Sequence, residues 1–194
     1  MNQNLLRQVF AGLTVASLTL TASTTIVVQP SYAAKANFYC GTTRYGGRRV
    51  PATYARTQNG RRVLIIRWVS NYFSKEWTPL RRCNLVSRNF QRLYDQGQLK
   101  YIKSGWMRGL PVLCAVTSPR YGCRKNNVLF TLKPGSNPQY SARKLLNRRG
   151  LASGVVLNES GSNSLDIDFE IFLKNSSEDT NTNSVYYDKE PRFR

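Results

Sequence analysis

The apolar positions between Phe38 and Val69 follow the pattern of short β-strands. Phe38-Tyr39-Cys40 begins a strand that turns at Tyr45-Gly46-Gly47, and Val50–Thr57 reads as a second strand. The pair Asn59-Gly60 favours a hairpin next, because these residues tolerate the positive φ of tight turns. The mostly β-branched run Val63-Leu64-Ile65-Ile66, which continues through Trp68 and Val69, then predicts a buried strand. This region is therefore predicted to be a β-meander.

The period changes to that of a helix after Thr78-Pro79. Threonine is a good N-cap, proline suits the first helical position, and Gly97 provides a C-terminal stop. One face of this helix is predicted to be apolar and buried, with residues at spacings of three and four: Cys83, Val86, Phe90, Leu93 and Tyr94.

Three arginines fall on the opposite face of the predicted helix. They are Arg81, Arg88 and Arg92, and Leu85 sits among them. One interpretation is an ordinary solvated face with a single apolar residue. The other is a helix that lies on an anionic membrane surface with Leu85 inserted. The first is preferred at this stage, because the apolar face of the helix already has a core to fill.

The rest of the chain predicts further short elements. Leu99–Lys103, Pro111–Thr117 and Val128–Leu132 read as strands, with turns at Ser104-Gly105 and Arg108-Gly109. Asn137-Pro138 predicts a short helix that carries Ala142, Leu145 and Leu146 and ends at Gly150. Between Leu165 and Ile171 apolar residues alternate with Asp166, Asp168 and Glu170, which predicts a strand with one acidic face. The fold class is thus α+β: an antiparallel sheet of short strands with one main and one shorter helix, pinned by two disulfides.

The first 33 residues have the order of a secretory signal. Arg7 is the one charged residue before an apolar and small-polar run from Val9 to Val28, and Ser31-Tyr32-Ala33 supplies a small-residue cleavage site. The hydroxyl-rich run is also long enough to suggest an uncleaved anchor. We expect a signal peptide over residues 1–33, a single domain over 34–173, and a flexible polar tail over 174–194.

Four cysteines follow the signal, which indicates disulfides in an oxidising compartment. Three connectivities are possible, and we predict Cys114–Cys123, which flank a turn, and Cys40–Cys83. A zinc site is the weaker alternative because the spacing contains no Cys-x-x-Cys pair. No metal or other cofactor is predicted.

The charge is unevenly distributed along the chain. The formal net charge is +19, and Lys35–Asn158, called the basic body below, carries +22, whereas Glu159–Arg194 carries −4. This imbalance indicates an anionic partner for the basic body. Histidine is absent from the chain, which removes Ser-His-Asp and Cys-His catalysis and histidine-ligated metal sites.

Candidate anion-binding residues are the helix arginines and several arginine pairs: Arg48, Arg49, Arg61, Arg62, Arg81, Arg88, Arg92, Arg148 and Arg149. Aromatic residues stand beside basic ones, as in Arg44-Tyr45, Arg67-Trp68 and Trp106-Met107-Arg108, a pattern that also suits nucleic acid. Export argues against nucleic acid, and we expect these aromatics to pack the core. Anionic lipid headgroups or a polyanionic envelope polymer fit the charge better.

Carboxylates are the basis of a rival, enzymatic interpretation. Asp166, Asp168 and Glu170, together with Glu76 or Asp95, could serve a wall-active hydrolase or bind a hard cation. The alternative is an acidic strand that complements basic neighbours. A pocket that unites these carboxylates would favour the enzyme.

Several segments between about Asn37 and Leu173 form a long collinear pattern: Phe38-Tyr39-Cys40-Gly41, Thr53-Tyr54-Ala55-Arg56-Thr57, Trp77-Thr78-Pro79, Arg82-Cys83, Pro111-Val112-Leu113-Cys114 and Leu129-Phe130-Thr131-Leu132-Lys133-Pro134-Gly135. Together these segments resemble the cyanobacterial circadian oscillating protein family. Leu80 and Leu85 stand where polar residues are expected. The resemblance implies an exported cyanobacterial protein with a circadian-regulated role, and the family's founder is described as a peripheral membrane protein. It implies no catalytic residues.

The leading hypothesis is an exported, basic, non-enzymatic interaction protein. It would attach electrostatically to an anionic membrane or envelope surface, in the periplasm or the thylakoid lumen. The alternatives are a wall-active hydrolase and a protein that binds nucleic acid or another polyanion. No protein partner can be named from the sequence.

Overall fold

The first three strands form an antiparallel sheet in the computed structural model, which describes residues 36–146, 155–156 and 164–179. In this sheet the strand order is β1 (Asn37–Tyr45), β2 (Arg48–Arg56), β3 (Arg62–Arg67). Gly46 and Gly47 join the first two strands with φ of 55° and 75°. Positive φ at both central residues is what a two-residue hairpin turn requires. The predicted meander is confirmed.

A second, five-stranded antiparallel sheet is built from the later strands, whereas one sheet was expected. Its order is β6-β5-β4-β8-β7, formed by β4 (Tyr101–Met107), β5 (Leu110–Val116), β6 (Val128–Thr131), β7 (Val155–Val156) and β8 (Asp166–Asp168). The turn predicted at Ser104-Gly105 is wrong, because β4 continues through it. The Ser104 N–H donates to the Leu165 carbonyl at 2.9 Å, so the chain stays extended there. The turn predicted at Arg108-Gly109 is confirmed.

Helix α1 (Pro79–Asp95) connects the two sheets. Thr78 caps it, since its hydroxyl accepts from the Arg81 N–H, and Gly97 ends it with a φ of 68°. The Phe38 N–H of β1 donates to the Gln91 side chain at 2.8 Å. The Asn89 amide donates to the Leu129 carbonyl of β6, also at 2.8 Å. The helix therefore contacts a strand of each sheet, and its predicted apolar face is buried.

A cluster of aromatic rings fills the space between α1, β1 and the C-terminal part of the domain. Phe38, Phe90 and Phe169 contact one another with ring centroids 5.6–5.9 Å apart, and Phe172 stacks on Phe169. All four rings are buried. Each contributes roughly 1.5–3 kcal/mol through the apolar surface that it removes from water.

The short helix predicted after Asn137-Pro138 is confirmed as α2 (Pro138–Leu145). The Asn137 side chain accepts from the Tyr140 N–H at 2.9 Å, which caps the helix. Ala142 is fully buried. The helix ends at Leu145, so the predicted end at Gly150 is wrong: Leu146 is extended and forms a bridge with Ile66 of β3.

The strand predicted from Leu165 to Ile171 is wrong beyond Asp168. There the chain turns into α3 (Phe169–Asn175), and the Asp168 side chain caps it by accepting from the Ile171 N–H at 3.0 Å. Phe169 and Phe172 are three residues apart and both buried, as a helix allows. An N-capping aspartate and this spacing outweigh the alternation that indicated a strand.

The residues that follow α3 contact the first sheet. Glu178 forms an antiparallel bridge with Val63, and the Asp179 N–H donates to the Arg62 carbonyl at 2.8 Å. The Asp179 carboxylate accepts from the Tyr54 hydroxyl at 2.5 Å. The stretch expected to be a flexible tail from residue 174 therefore begins as folded structure. Residues 180–194 and the predicted signal peptide lie outside the described residues.

Candidate functional site: the exposed arginine face of helix α1

Both predicted disulfides are confirmed. Cys40–Cys83 joins β1 to α1, and Cys114–Cys123 joins β5 to the connection that precedes β6. Disulfides form and persist in oxidising compartments. They therefore indicate that the protein is exported.

The three arginines predicted on one face of α1 are all exposed there. Spacings of seven and four residues place Arg81, Arg88 and Arg92 within about 40° around the helix axis. Arg92 donates to the Asn126 carbonyl at 3.4 Å and to Gln96 at 3.3 Å, which holds its stem along the helix. Leu85 lies among them and is half-buried.

Trp77 extends this row beyond the N-terminus of α1. Its ring is 40% exposed, and the Arg81 guanidinium stands 4.9 Å from the ring centroid. Arg81 also donates to the Glu76 carbonyl at 3.1 Å. Trp77 was not among the predicted site residues, although its spacing of four residues from Arg81 was the available signal. We call Trp77, Arg81, Leu85, Arg88 and Arg92 the helix row.

The other predicted anion-binding arginines divide into two groups. Arg48 and Arg49 are exposed at the start of β2, whereas Arg148 and Arg149 lie outside the described residues. Arg61 donates to the carbonyls of residues at the end of α3, at 2.9 Å in the case of Ser176. Basic side chains stabilise helix C-termini in this way.

Arg62 also contacts the protein rather than standing out into solvent. Its guanidinium lies 5.1 Å from the Tyr54 ring centroid, and the side chain is half-buried. Tyr54 therefore contacts both residues: its hydroxyl donates to Asp179, and its ring faces the Arg62 guanidinium. Arg61 and Arg62 therefore stabilise the fold at the C-terminal segment, and neither is a strong surface candidate.

Arg82 was not among the predicted site residues, and it organises the connection between β3 and α1. The side chain is buried, donates to the carbonyls of Ser70 and Trp77, and lies between the rings of Trp68 and Phe73 at 5.3 and 4.7 Å. Burial lowers the pKa of its guanidinium. Arg82 thus fixes the loop from which Trp77 emerges.

The expectation that the aromatics beside basic residues pack the core holds only in part. Trp68 is buried and donates to the Thr53 hydroxyl at 3.0 Å. Tyr45, Trp106 and Tyr121 are instead about half exposed. An aromatic residue that stands next to an arginine in the sequence is not necessarily buried. Near a turn the ends of the strands extend beyond the core, so such a residue can be exposed there.

Three of the five carboxylates of the enzymatic alternative have structural contacts, whereas Glu76 and Glu170 are exposed. Asp166 is buried and accepts from the ammonium of Lys103, its cross-strand partner, at 2.8 Å, so at this position the strand complements a basic neighbour as the alternative expected. Asp168 caps α3, and Asp95 accepts from the Gln91 amide at 3.0 Å. Within the described residues, no group of three or more histidine, cysteine or acidic side chains could hold a metal ion.

Comparison with known proteins identifies the family. A family model described as circadian oscillating protein COP23 matches residues 37–174. The chain belongs to this family. No curated protein and no solved structure matches the chain.

The family match spans the structure from β1 to α3. It includes both disulfides, the helix row and Arg82, and it confirms the resemblance drawn from the sequence. Across the described ranges, no helix has the length and apolar character needed to cross a membrane.

Proposed function

We propose that the protein attaches reversibly to an anionic lipid surface in the compartment to which it is exported. The observation that carries this proposal is the row of exposed arginines on α1, Arg81, Arg88 and Arg92, on the side of the helix opposite its buried face. The high positive charge of the basic body supports the same conclusion.

The strength of the attachment follows from the number of arginines that reach the surface. A basic residue near an anionic membrane contributes about 1 kcal/mol. The helix row therefore contributes between about 1 kcal/mol, if one arginine reaches the surface, and about 3 kcal/mol, if all three do, which suits an association that forms and dissociates. The attraction decays over about 8 Å at physiological ionic strength, so added salt weakens it.

Vesicle binding tests the proposal with the protein in its exported, disulfide-bonded form. We expect sedimentation with vesicles that contain anionic lipid, no sedimentation with neutral vesicles, and release as the salt concentration rises. The triple variant Arg81→Gln, Arg88→Gln, Arg92→Gln should bind up to about 3 kcal/mol more weakly.

A matched triple variant separates a specific face from net charge. Arg120, Arg124 and Arg143 are also exposed and lie off the helix row. Replacing these three with glutamine removes the same charge and should weaken binding much less. Equal losses in the two triple variants would contradict the proposed face. Binding to neutral vesicles, or to a purified wall polymer in preference to anionic vesicles, would contradict the proposed lipid surface.

We also propose that the abundance of the protein follows a daily rhythm. The family to which the chain belongs is that of a circadian oscillating protein, which supports this proposal. Quantitative immunoblots over two days in constant light should show a period near one day. A constant level would contradict it.

A further inference from the structure

Three connections meet at the end of the molecule where α1 begins. The Trp68 N–H, at the start of the β3–α1 connection, donates to the Pro51 carbonyl of β2 at 2.9 Å. The Arg67 guanidinium lies 6.0 Å from the ring centroid of Tyr45, which ends β1. The β1–β2 turn and the β3–α1 connection are therefore neighbours.

The β4–β5 turn reaches the same end through β6. The Leu132 N–H donates to the Pro111 carbonyl at 2.8 Å, which places the residues after β6 beside the start of β5. The ammonium of Lys133, the next residue, lies 4.1 Å from the ring centroid of Tyr72 in the β3–α1 connection. Asn89 contacts Leu129 and Arg92 contacts Asn126, so β6 runs antiparallel to α1 and Lys133 lies near the helix N-terminus.

Most of the exposed large apolar side chains cluster at this end. Nine such side chains occur among the described residues, each 40–59% exposed, and six of them stand on the three connections. We call these six the aromatic end: Tyr45, Val69, Tyr72, Trp77, Trp106 and Leu110. A concentration of this kind marks an interaction surface.

The side chains around the aromatic end are mainly basic. Exposed basic residues there are Arg44, Arg48, Arg49, Lys75, Arg81, Arg108 and Lys133, and Glu76 is the acidic residue of the β3–α1 connection. Asp95, at the last turn of α1, and Asp168, which pairs with Tyr101 at the start of β4, lie at the opposite end. The β5–β6 connection at that opposite end also carries exposed basic residues, Arg120, Arg124 and Lys125. The aromatic end is therefore distinguished by its exposed apolar side chains in a basic setting, not by positive charge alone.

Arg108 occupies an unusual backbone conformation at the apex of the β4–β5 turn. Its φ is 49°, in the left-handed region that favours glycine or asparagine at this turn position. Non-glycine residues held in this region are concentrated at functional sites. Arg108 is exposed at the turn between Trp106 and Leu110 in the sequence.

We infer that the aromatic end enters the headgroup region of the anionic bilayer, with α1 directed away from the membrane instead of lying along it. This inference rests on the proposed function and adds an orientation to it. Tryptophan and tyrosine favour the membrane interface, and basic side chains favour anionic headgroups. The six apolar side chains are exposed at three different connections, which suits a deformable lipid surface better than a protein partner.

The orientation predicts unequal roles for the arginines of the helix row. Arg92 lies eleven residues after Arg81, a rise of about 16 Å along the helix. That distance is about two screening lengths at physiological ionic strength. Arg81→Gln should weaken binding to anionic vesicles roughly fivefold, whereas Arg92→Gln should change it less than twofold.

The tryptophans provide a direct test, because the chain has three and only Trp68 is buried. With anionic vesicles that carry brominated lipid, Trp77 and Trp106 fluorescence should be quenched. The double variant Trp77→Phe, Trp106→Phe should keep only the unquenched emission of Trp68. In that background, Tyr121→Trp adds a probe at the opposite end, near the C-terminus of α1, and it should also remain unquenched.

The outcomes separate this inference from the proposed function. Binding without quenching, or equal quenching of the residue 121 probe, would overturn the orientation and leave lipid attachment standing. Equal effects of Arg81→Gln and Arg92→Gln would indicate that the helix lies flat, and would overturn it too. If anionic vesicles do not bind the protein at all, the proposed function fails and the inference fails with it.

Discussion

Two adjacent arginines of α1 have opposite environments. Arg81 is exposed over the Trp77 ring, whereas Arg82 is buried between Trp68 and Phe73 and donates to two carbonyls of the β3–α1 connection. A cation can be buried when its donors are satisfied and rings cover its faces. The sequence Arg-Arg alone does not reveal which of the two side chains turns inward.

Replacing Arg82 with alanine should destabilise the domain by roughly 3 kcal/mol, because hydrogen bonds to a charged group contribute about 1.5–3 kcal/mol each and two carbonyls lose their donor. Arg82→Lys should recover little of this loss, since one ammonium cannot replace the planar fork. Arg81→Ala is the matched control and should cost less than about 0.5 kcal/mol. Urea unfolding with the disulfides intact measures all three. A small effect of Arg82→Ala would contradict its role in fixing the loop.

Tyr54 should make stability depend on pH in the alkaline range. Its ring is buried, and burial together with its hydrogen bond to Asp179 raises the pKa of its phenol well above 10.0. Above pH 10 the unfolded chain releases this proton while the folded chain retains it. Stability from this group is therefore present below pH 10 and is lost as the pH rises, by up to about 1.4 kcal/mol per pH unit.

The Tyr54→Phe variant is the control for this effect. It should be less stable near neutral pH by about 1.5–3 kcal/mol, because the hydrogen bond to the carboxylate is lost. Above pH 10 its free energy of unfolding should fall less steeply than that of the parent protein. Parallel pH profiles of the two proteins would contradict this assignment.

At the scale of elements, local signals allowed α1 and α2 to be predicted. The capping pairs Thr78-Pro79 and Asn137-Pro138 and the stop residue Gly97 act on the backbone within a few residues. Their effect therefore does not depend on distant contacts. The two-sheet arrangement and α3 depend on distant contacts, such as Ser104 with Leu165 and Phe169 with Phe38. The alternation from Leu165 to Ile171 carries no information about those contacts, so it indicated a strand.

The C-terminal segment Ser176–Asp179 should contribute to stability. Its backbone pairs with β3, Ser176 is buried, and Asp179 accepts from Tyr54. Truncation after Asn175 should lower the free energy of unfolding by at least about 2 kcal/mol, because several hydrogen bonds of about 1 kcal/mol each are lost. Truncation after Asp179 should change it little, since residues 180–194 have few apolar side chains. Chemical unfolding of both truncations checks this, and equal stabilities would contradict it.

At the scale of the whole molecule, the net charge predicted an anionic partner but not which surface of the protein faces that partner. The helix row could be read from sequence because its residues repeat along one helix. The aromatic end could not, because its side chains come from three turns that only the fold brings together. The two hypotheses for the arginine face of α1, a solvated face and a membrane-bound helix, were therefore made without knowing that the three turns lie at one end of the molecule.

Fractionation of the native cell envelope with a salt wash tests the central claim most directly. If charge holds the protein on an anionic membrane, it should sediment with membranes at low salt and move to the supernatant at high salt without detergent. Raising the salt from about 0.01 M to 1 M shortens the screening length from about 30 Å to 3 Å, which removes the long-range attraction. A protein that is soluble at low salt, or that stays with the membranes until detergent is added, would contradict the account.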